Sequence, residues 1–186
     1  DNLDYRYIDV NSSGDVYVLG NVLKSDYSFR SYTGFHKYDK NGTNTYYKRY
    51  RWNGSANPSG SACGMGTLTN GEFIVGNFSG SNAYVAGLGY VSASNGAMGW
   101  QKNYCQTHSN TSGSVLARMC VSHNNRIIGA EAGTSSGNKD IKFWEVTATG
   151  GLQGDWELST YGPGSGSNYG ATHRALTFDS SGNFYM

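Results

Sequence analysis

Residues 7–20, Tyr7-Ile8-Asp9-Val10-Asn11-Ser12-Ser13-Gly14-Asp15-Val16-Tyr17-Val18-Leu19-Gly20, decide the fold. Residues of strand-forming type lie on either side of Ser13-Gly14, the pattern of two short strands joined by a tight turn. The pattern recurs three times. Gly66-Thr67-Leu68 leads to Asn70-Gly71 and Phe73-Ile74-Val75-Gly76; Met119-Cys120-Val121 leads to Asn124-Asn125 and Arg126-Ile127-Ile128-Gly129; Leu176-Thr177-Phe178 leads to Ser181-Gly182 and Phe184-Tyr185. Turn positions 14, 71, 125 and 182 are separated by 57, 54 and 57 residues, so one structural unit repeats along the chain.

A second hairpin follows the first by 25 to 28 residues in three of the units, with Asn41-Gly42, Asn95-Gly96 and Gly150-Gly151 at its tip. Such dipeptides favour the positive φ of type I′ turns. The flanking strands are Phe35 to Asp39 and Thr45 to Trp52, Ala83 to Ser92 and Met98 to Tyr104, and Ile141 to Thr147 and Trp156 to Tyr161. Each unit therefore holds four strands, a to d, and none shows a helical period. Four antiparallel strands repeated every ~55 residues describe a β-propeller blade, slightly longer than the ~40 to 50 residues of WD40 and kelch blades. An antiparallel sandwich, with turns every ~8 to 12 residues, is the alternative.

The expected architecture is thus an all-β propeller segment spanning residues 1–186, of about three and a half blades, near 1–54, 55–112, 113–168 and a partial 169–186. A propeller needs ~4 to 8 blades. The expectation is a segment of a longer polypeptide, or a ring completed by partner chains.

Composition agrees with turns and strands. The chain has 27 Gly, 15 Tyr, 7 Phe and 4 Trp against 14 Lys+Arg and 13 Asp+Glu, which excludes a coiled coil, a helical bundle and a charged disordered tail. No run approaches the ~20 apolar residues of a membrane-spanning helix, so no membrane insertion is expected. A net charge of +1 supplies no field for nucleic acid or an anionic membrane. Cys63, Cys105 and Cys120 fit no metal or redox spacing.

Function is expected on the face carrying the longer connections, Val22 to Gly34, Asn53 to Ser61, Gln106 to Ser114, Ala132 to Lys139 and Gly162 to Gly170. The richest of these contains Tyr27, Phe29, Arg30 and Tyr32, an aromatic and basic cluster suited to stacking on a sugar or anchoring a protein partner. Strand d of the first unit, Tyr46-Tyr47-Lys48-Arg49-Tyr50-Arg51-Trp52, interleaves basic and aromatic residues as single-stranded nucleic-acid sites do. Gln101-Lys102 and Glu157 stand at the matching places in the other units, so no continuous basic track forms; the charges read as protection of an edge strand. No nucleic-acid partner is expected.

Asp9 to Gly14 resembles the start of a calcium loop, but Gly20 stands where a bidentate Glu is needed. His36, His108, His123 and His173 lack zinc spacing. No nucleophile elbow, phosphate-binding glycine loop or HExxH is present. No catalytic residue, metal or cofactor is expected.

Asp179-Ser180-Ser181-Gly182-Asn183-Phe184-Tyr185 resembles the D-S-S-G-N-x-Y hairpin of a widespread bacterial and phage β-propeller repeat. Lys37-Tyr38-Asp39-Lys40-Asn41-Gly42 is similar to its K-x-x-x-x-G element, and Gly96 to Lys102 to its closing Trp and basic residue. Proteins of this kind include tail-fibre, tail-spike and surface-decoration modules of tailed phages, marine cyanophages among them, and secreted or cell-surface bacterial proteins. The resemblance implies a non-catalytic attachment module on a virion surface or in the extracellular space. Its implied partners are neighbouring virion or cell-surface subunits and a host glycan. Ala93 to Trp100 is also similar to the A-x-D-x-x-T-G-x-x-x-W repeat of quinoprotein dehydrogenases, with Ser94 and Asn95 departing from it.

Overall fold

The computed structural model describes residues 2–23, 30–52, 60–79, 85–106, 116–132, 140–159 and 176–185. All regular structure among them is β-strand. β1 (Asn2–Val10), β2 (Val16–Leu23), β3 (Arg30–Tyr38) and β4 (Asn44–Tyr50) form one antiparallel sheet in chain order. β5 (Gly60–Thr67), β6 (Phe73–Ser79), β7 (Val85–Val91) and β8 (Met98–Gln106) form the second, and β9 (Leu116–Val121), β10 (Ile127–Ala132), β11 (Asp140–Val146) and β12 (Leu152–Ser159) the third. β13 (Thr177–Phe178) and β14 (Phe184–Tyr185) make a hairpin. The first strands of the sheets are spatial neighbours: β5 packs beside both β1 and β9, and β13 packs beside β9.

Strand alternation gives each full sheet two faces to bury. Tyr17, Leu19, Phe35, Tyr50 and Trp52 of the first sheet pack on Ala62, Phe73, Val75 and Val91 of the second. On the opposite face of the second sheet, Ile74 and Leu88 meet Met119, Ile127, Trp144 and Val146 of the third. Cys120, Ile128, Ala130 and Phe143 then turn to Leu176, Phe178 and Phe184 of the hairpin. Phe73 and Ile74 are adjacent in sequence and serve different cores, as period-two geometry requires. Fully burying such a side chain contributes about 1.5–3 kcal/mol.

Polar groups stitch the same interfaces. Thr33 Oγ1 donates to Asn77 Oδ1 at 3.0 Å and accepts from Trp52 Nε1 at 3.0 Å, while Asn21 Oδ1 accepts from the Ala62 amide at 2.7 Å. These bonds satisfy groups that burial would otherwise penalise. They also explain a difference from the expected loop at Val22 to Gly34. The β2–β3 ladder runs through Gly20–Gly34, Asn21–Thr33 and Val22–Tyr32 to Leu23–Arg30. Arg30, Ser31 and Tyr32 therefore belong to β3, because Asn21 and Thr33 both find partners in the second sheet.

The hairpin tips differ from type I′. Gly14, Gly42, Gly71, Gly96, Gly150 and Gly182 have φ between 68° and 84°, and among the described residues the one non-glycine with positive φ is Asn125 at 64°. Asn41, Asn95 and Gly151 are not left-handed. At Asp39 the bonds run from the Gly42 amide to the Asp39 carbonyl and from the Asp39 amide to the Thr43 carbonyl, both 2.9 Å. This is a type I turn closed by one left-handed residue, a three-residue hairpin loop with a bulge. Asp39 Oδ1 locks it by accepting from the amides of Asn41 and Thr43; Asn11 and Asp179 bond the equivalent amides of their own turns.

Asn125 also reaches the second sheet, its Oδ1 accepting from the Thr69 amide and its Nδ2 donating to Thr69 Oγ1, both at 2.8 Å. Asn125→Gly relieves the left-handed backbone but deletes both bonds, so we expect a net loss of about 1 kcal/mol in urea denaturation. Gly129 lies under the Trp144 indole, where a Cβ would overlap the ring. Gly129→Ala is expected to lose about 1–3 kcal/mol by overpacking. An unchanged denaturation midpoint would remove this account of the Gly129–Trp144 pair.

Candidate functional site

Of the four residues expected to form a binding cluster, Tyr27 and Phe29 lie outside the described residues. Arg30 opens β3 opposite Leu23, and Tyr32 stands in the same strand opposite Val22. The Arg49 guanidinium lies 5.9 Å from the centre of the Tyr32 ring, a cation–π contact that holds this ring against β4. Tyr32 is thus presented on a sheet rather than on a connection.

In the basic and aromatic strand of the first unit the aromatic side chains are spent on packing, while Lys48, Arg49 and Arg51 stay exposed. Tyr46 Oη donates to the Ala93 carbonyl at 3.0 Å and Tyr50 Oη to the Gly96 carbonyl at 2.8 Å, both in the turn between β7 and β8 of the next sheet. Tyr47 stacks on His36 with ring centres 4.2 Å apart. The second sheet repeats the device one unit on. Trp100 Nε1 donates to the Ala148 carbonyl at 3.1 Å, while Lys102 Nζ and Tyr104 Oη reach the Gly150 carbonyl at 2.8 and 2.9 Å. Burial raises the pKa of Tyr46 and Tyr50 and pushes that of Tyr104 up to about 12, so these hydroxyls remain donors across the neutral range. The recurrence of Tyr or Trp in strand d is legible in the sequence, but its hydrogen-bond targets are not.

A groove of about 1230 Å³ runs along the first strands, between Arg6, Asp9, Met65, His123, Phe178 and Asp179. Its polar atoms are largely committed to structure. Asp9 accepts from Thr67 Oγ1. Asp179 accepts from the amides of Ser181 and Asn183, from Asn183 Nδ2 and from Tyr185 Oη, and these bonds lower its pKa. Burial pushes the Cys120 thiol up to about 12, which keeps it protonated and a poor nucleophile at neutral pH. Asn11, which follows the calcium-like Asp9-Val10, uses its side-chain oxygen on the Ser13 and Asp15 amides. Among the described residues no three His, Cys, Asp or Glu side chains converge as metal ligands do. What the groove offers a ligand is shape and a mixed polar and apolar lining.

At the third turn, Arg126 makes a bidentate pair with Glu145 at 2.8 and 3.1 Å and donates to the Gly182 carbonyl at 2.8 Å. The pair lowers the Glu145 pKa and raises that of Arg126. Comparison with models of known protein families gives no match, and comparison with curated proteins gives none either.

Among the described residues, His36 is a titratable group set in a nest of aromatic rings. It is buried among Tyr5, Tyr38 and Tyr47. Asn44 Nδ2 lies 3.0 Å from Nδ1, while Nε2 is buried with no hydrogen-bond partner among the described residues. Burial lowers its pKa, because the imidazolium loses hydration that nothing here replaces. The unfolded chain then binds more protons than the fold below the ordinary histidine pKa of about 6.5, so this contribution to stability falls as pH drops through that value. Urea midpoints at pH 7.5 and 5.5 are expected to differ in the wild type and to converge in His36→Phe.

Proposed function

We propose that the three four-stranded sheets and the hairpin are successive blades of a β-propeller, divided near residues 54, 112 and 168, and that the chain is a non-catalytic attachment module of a phage virion. The carrying observation is the repeated interface. Strand d of one sheet donates hydrogen bonds to the turn of the next, first from Tyr46 and Tyr50 and then from Trp100, Lys102 and Tyr104. Adjacent first strands and face-to-face sheets are what a radial array requires.

The chemistry of the residues supports a scaffold role. The carboxylates of Asp9, Asp39 and Asp179 accept hydrogen bonds from nearby backbone or hydroxyl groups, and the rings of strand d fill interfaces. A rigid stack presents its connections and the strand ends beside them to neighbouring subunits or to a host glycan, and the contact we assign there is Tyr27 and Phe29 together with Arg30 and Tyr32 at the start of β3. Low charge and an abundance of Gly, Ser, Asn and Tyr suit an exposed extracellular surface.

Replacing Tyr27, Phe29 and Tyr32 together with Ala is expected to weaken glycan-array or particle binding by about 30-fold or more, the loss of one strong hot spot. Undiminished binding by the triple variant, with an unchanged melting temperature, would overturn the assignment of this cluster.

A further inference from the structure

We propose that the outer strand of the first sheet, β4 with Arg51 just beyond it, seats an acidic polysaccharide whose carboxylates meet Lys48, Arg49 and Arg51. The inference rests on the attachment reading and adds the chemical class of the glycan.

Charge distribution supplies the first observation. Residues 30–52 hold six basic residues, Arg30, Lys37, Lys40, Lys48, Arg49 and Arg51, and one acidic residue, Asp39, whereas the rest of the chain holds eight basic and twelve acidic residues. A near-neutral total therefore hides a basic segment set in an acidic remainder. Lys37 is committed to Asp15 at 2.8 Å, and Asp39 to the amides of its own turn. Among the described residues no carboxylate lies within ion-pair distance of Lys48 or Arg51. Protection of an edge strand does not account for this concentration, since β8 carries Lys102 alone and β12 carries Asp155 and Glu157 at the same rim.

The exposure of these cations does not come from the open face of the first sheet. Tyr46 and Trp100 make matching bonds to the next turn, as do Tyr50 and Tyr104, so Lys48 corresponds to Lys102 and Arg49 to Asn103. Lys102 and Asn103 belong to the second sheet, which has a neighbour on either side, and both are exposed nonetheless. The position lies on the rim, where adjacent sheets do not cover it.

The strand register sets the cations beside the cluster already assigned to attachment. Thr33 pairs with Tyr50 and Gly34 with Arg49, which brings Tyr32 and Arg51 to one end of the sheet. The Arg49 guanidinium lies over the Tyr32 ring at 5.9 Å. Guanidinium groups suit carboxylates because two parallel hydrogen bonds form at once. The rings favour a glycan over single-stranded nucleic acid, whose bases need free ring faces for stacking. Tyr46, Tyr50 and Trp52 pack into the interface with the second sheet, and Tyr47 stacks on His36. What the rim leaves for a ligand is charge.

Calorimetric titration of the whole chain with alginate, a polyuronate, tests this, with neutral dextran and oligothymidylate as the other arms. Wild type is expected to bind alginate at low salt, to lose that binding as screening rises, to ignore dextran and to hold oligothymidylate more weakly. The triple variant Lys48→Gln, Arg49→Gln, Arg51→Gln is expected to bind alginate about tenfold more weakly or worse at an unchanged melting temperature. If the triple variant melts lower, Lys48→Gln and Arg51→Gln singly, on exposed side chains, carry the test, each weakening binding about threefold. Alginate binding that is absent in wild type, that survives these substitutions, or that is weaker than oligothymidylate binding would overturn the acidic glycan. Failure of the attachment reading looks different. A chain that binds only neutral glycans on an array, through Tyr27, Phe29 and Tyr32, keeps that reading and loses this one, while a chain that binds neither glycan nor particle loses both.

Discussion

Every full sheet in this protein carries apolar side chains on both faces, and neither face can be buried within the sheet itself. Phe73 and Val75 point one way while Ile74 and Leu88 point the other, so the second sheet needs a neighbour on each side. Three cores result, each built from two consecutive units. Stability in such a stack is a sum of unit and nearest-neighbour terms, so cooperativity passes from sheet to sheet through contacts rather than through one shared centre.

Directional bonds fix how neighbouring sheets meet. Apolar burial alone tolerates sliding, but a donor on strand d aimed at one turn carbonyl does not. Tyr50 on Gly96 and Tyr104 on Gly150 set the same relation twice, and Arg126 on Gly182 ties the third sheet to the hairpin. The turns can receive these donors because a single left-handed residue closes each one, leaving outward carbonyls at reproducible positions. The buried Trp52–Thr33–Asn77 chain adds specificity, since a shifted sheet would strand polar groups in an apolar interface.

Local pattern made the turns and most strands legible. Gly14, Gly71 and Gly182 mark tips because glycine takes positive φ without a Cβ clash, and the alternation around them places the strands. The type of turn was not legible at Asn41-Gly42, where the dipeptide suggests two left-handed residues. The Asp39 carboxylate instead holds the Asn41 and Thr43 amides, leaving Gly42 alone at positive φ. Arg30 to Tyr32 looked like a connection because their polar and aromatic mixture carries no clear alternation. Buried partners for Asn21 and Thr33 in another sheet extend the ladder to them.

Local sequence set the repeating unit: strands in antiparallel pairs, tips rich in glycine and asparagine, and a period that brings equivalent residues round again. These follow from backbone sterics and alternation, which act within a few residues. What each side chain does depends on how the sheets pack. Lys102 reads as a charge guarding an edge and becomes a donor to Gly150, while His36 reads as an isolated histidine and proves buried among tyrosines. The physical reason is range: Lys102 and Trp100 act on carbonyls 48 residues away and His36 gathers rings from neighbouring strands, so no local pattern encodes which face meets which partner.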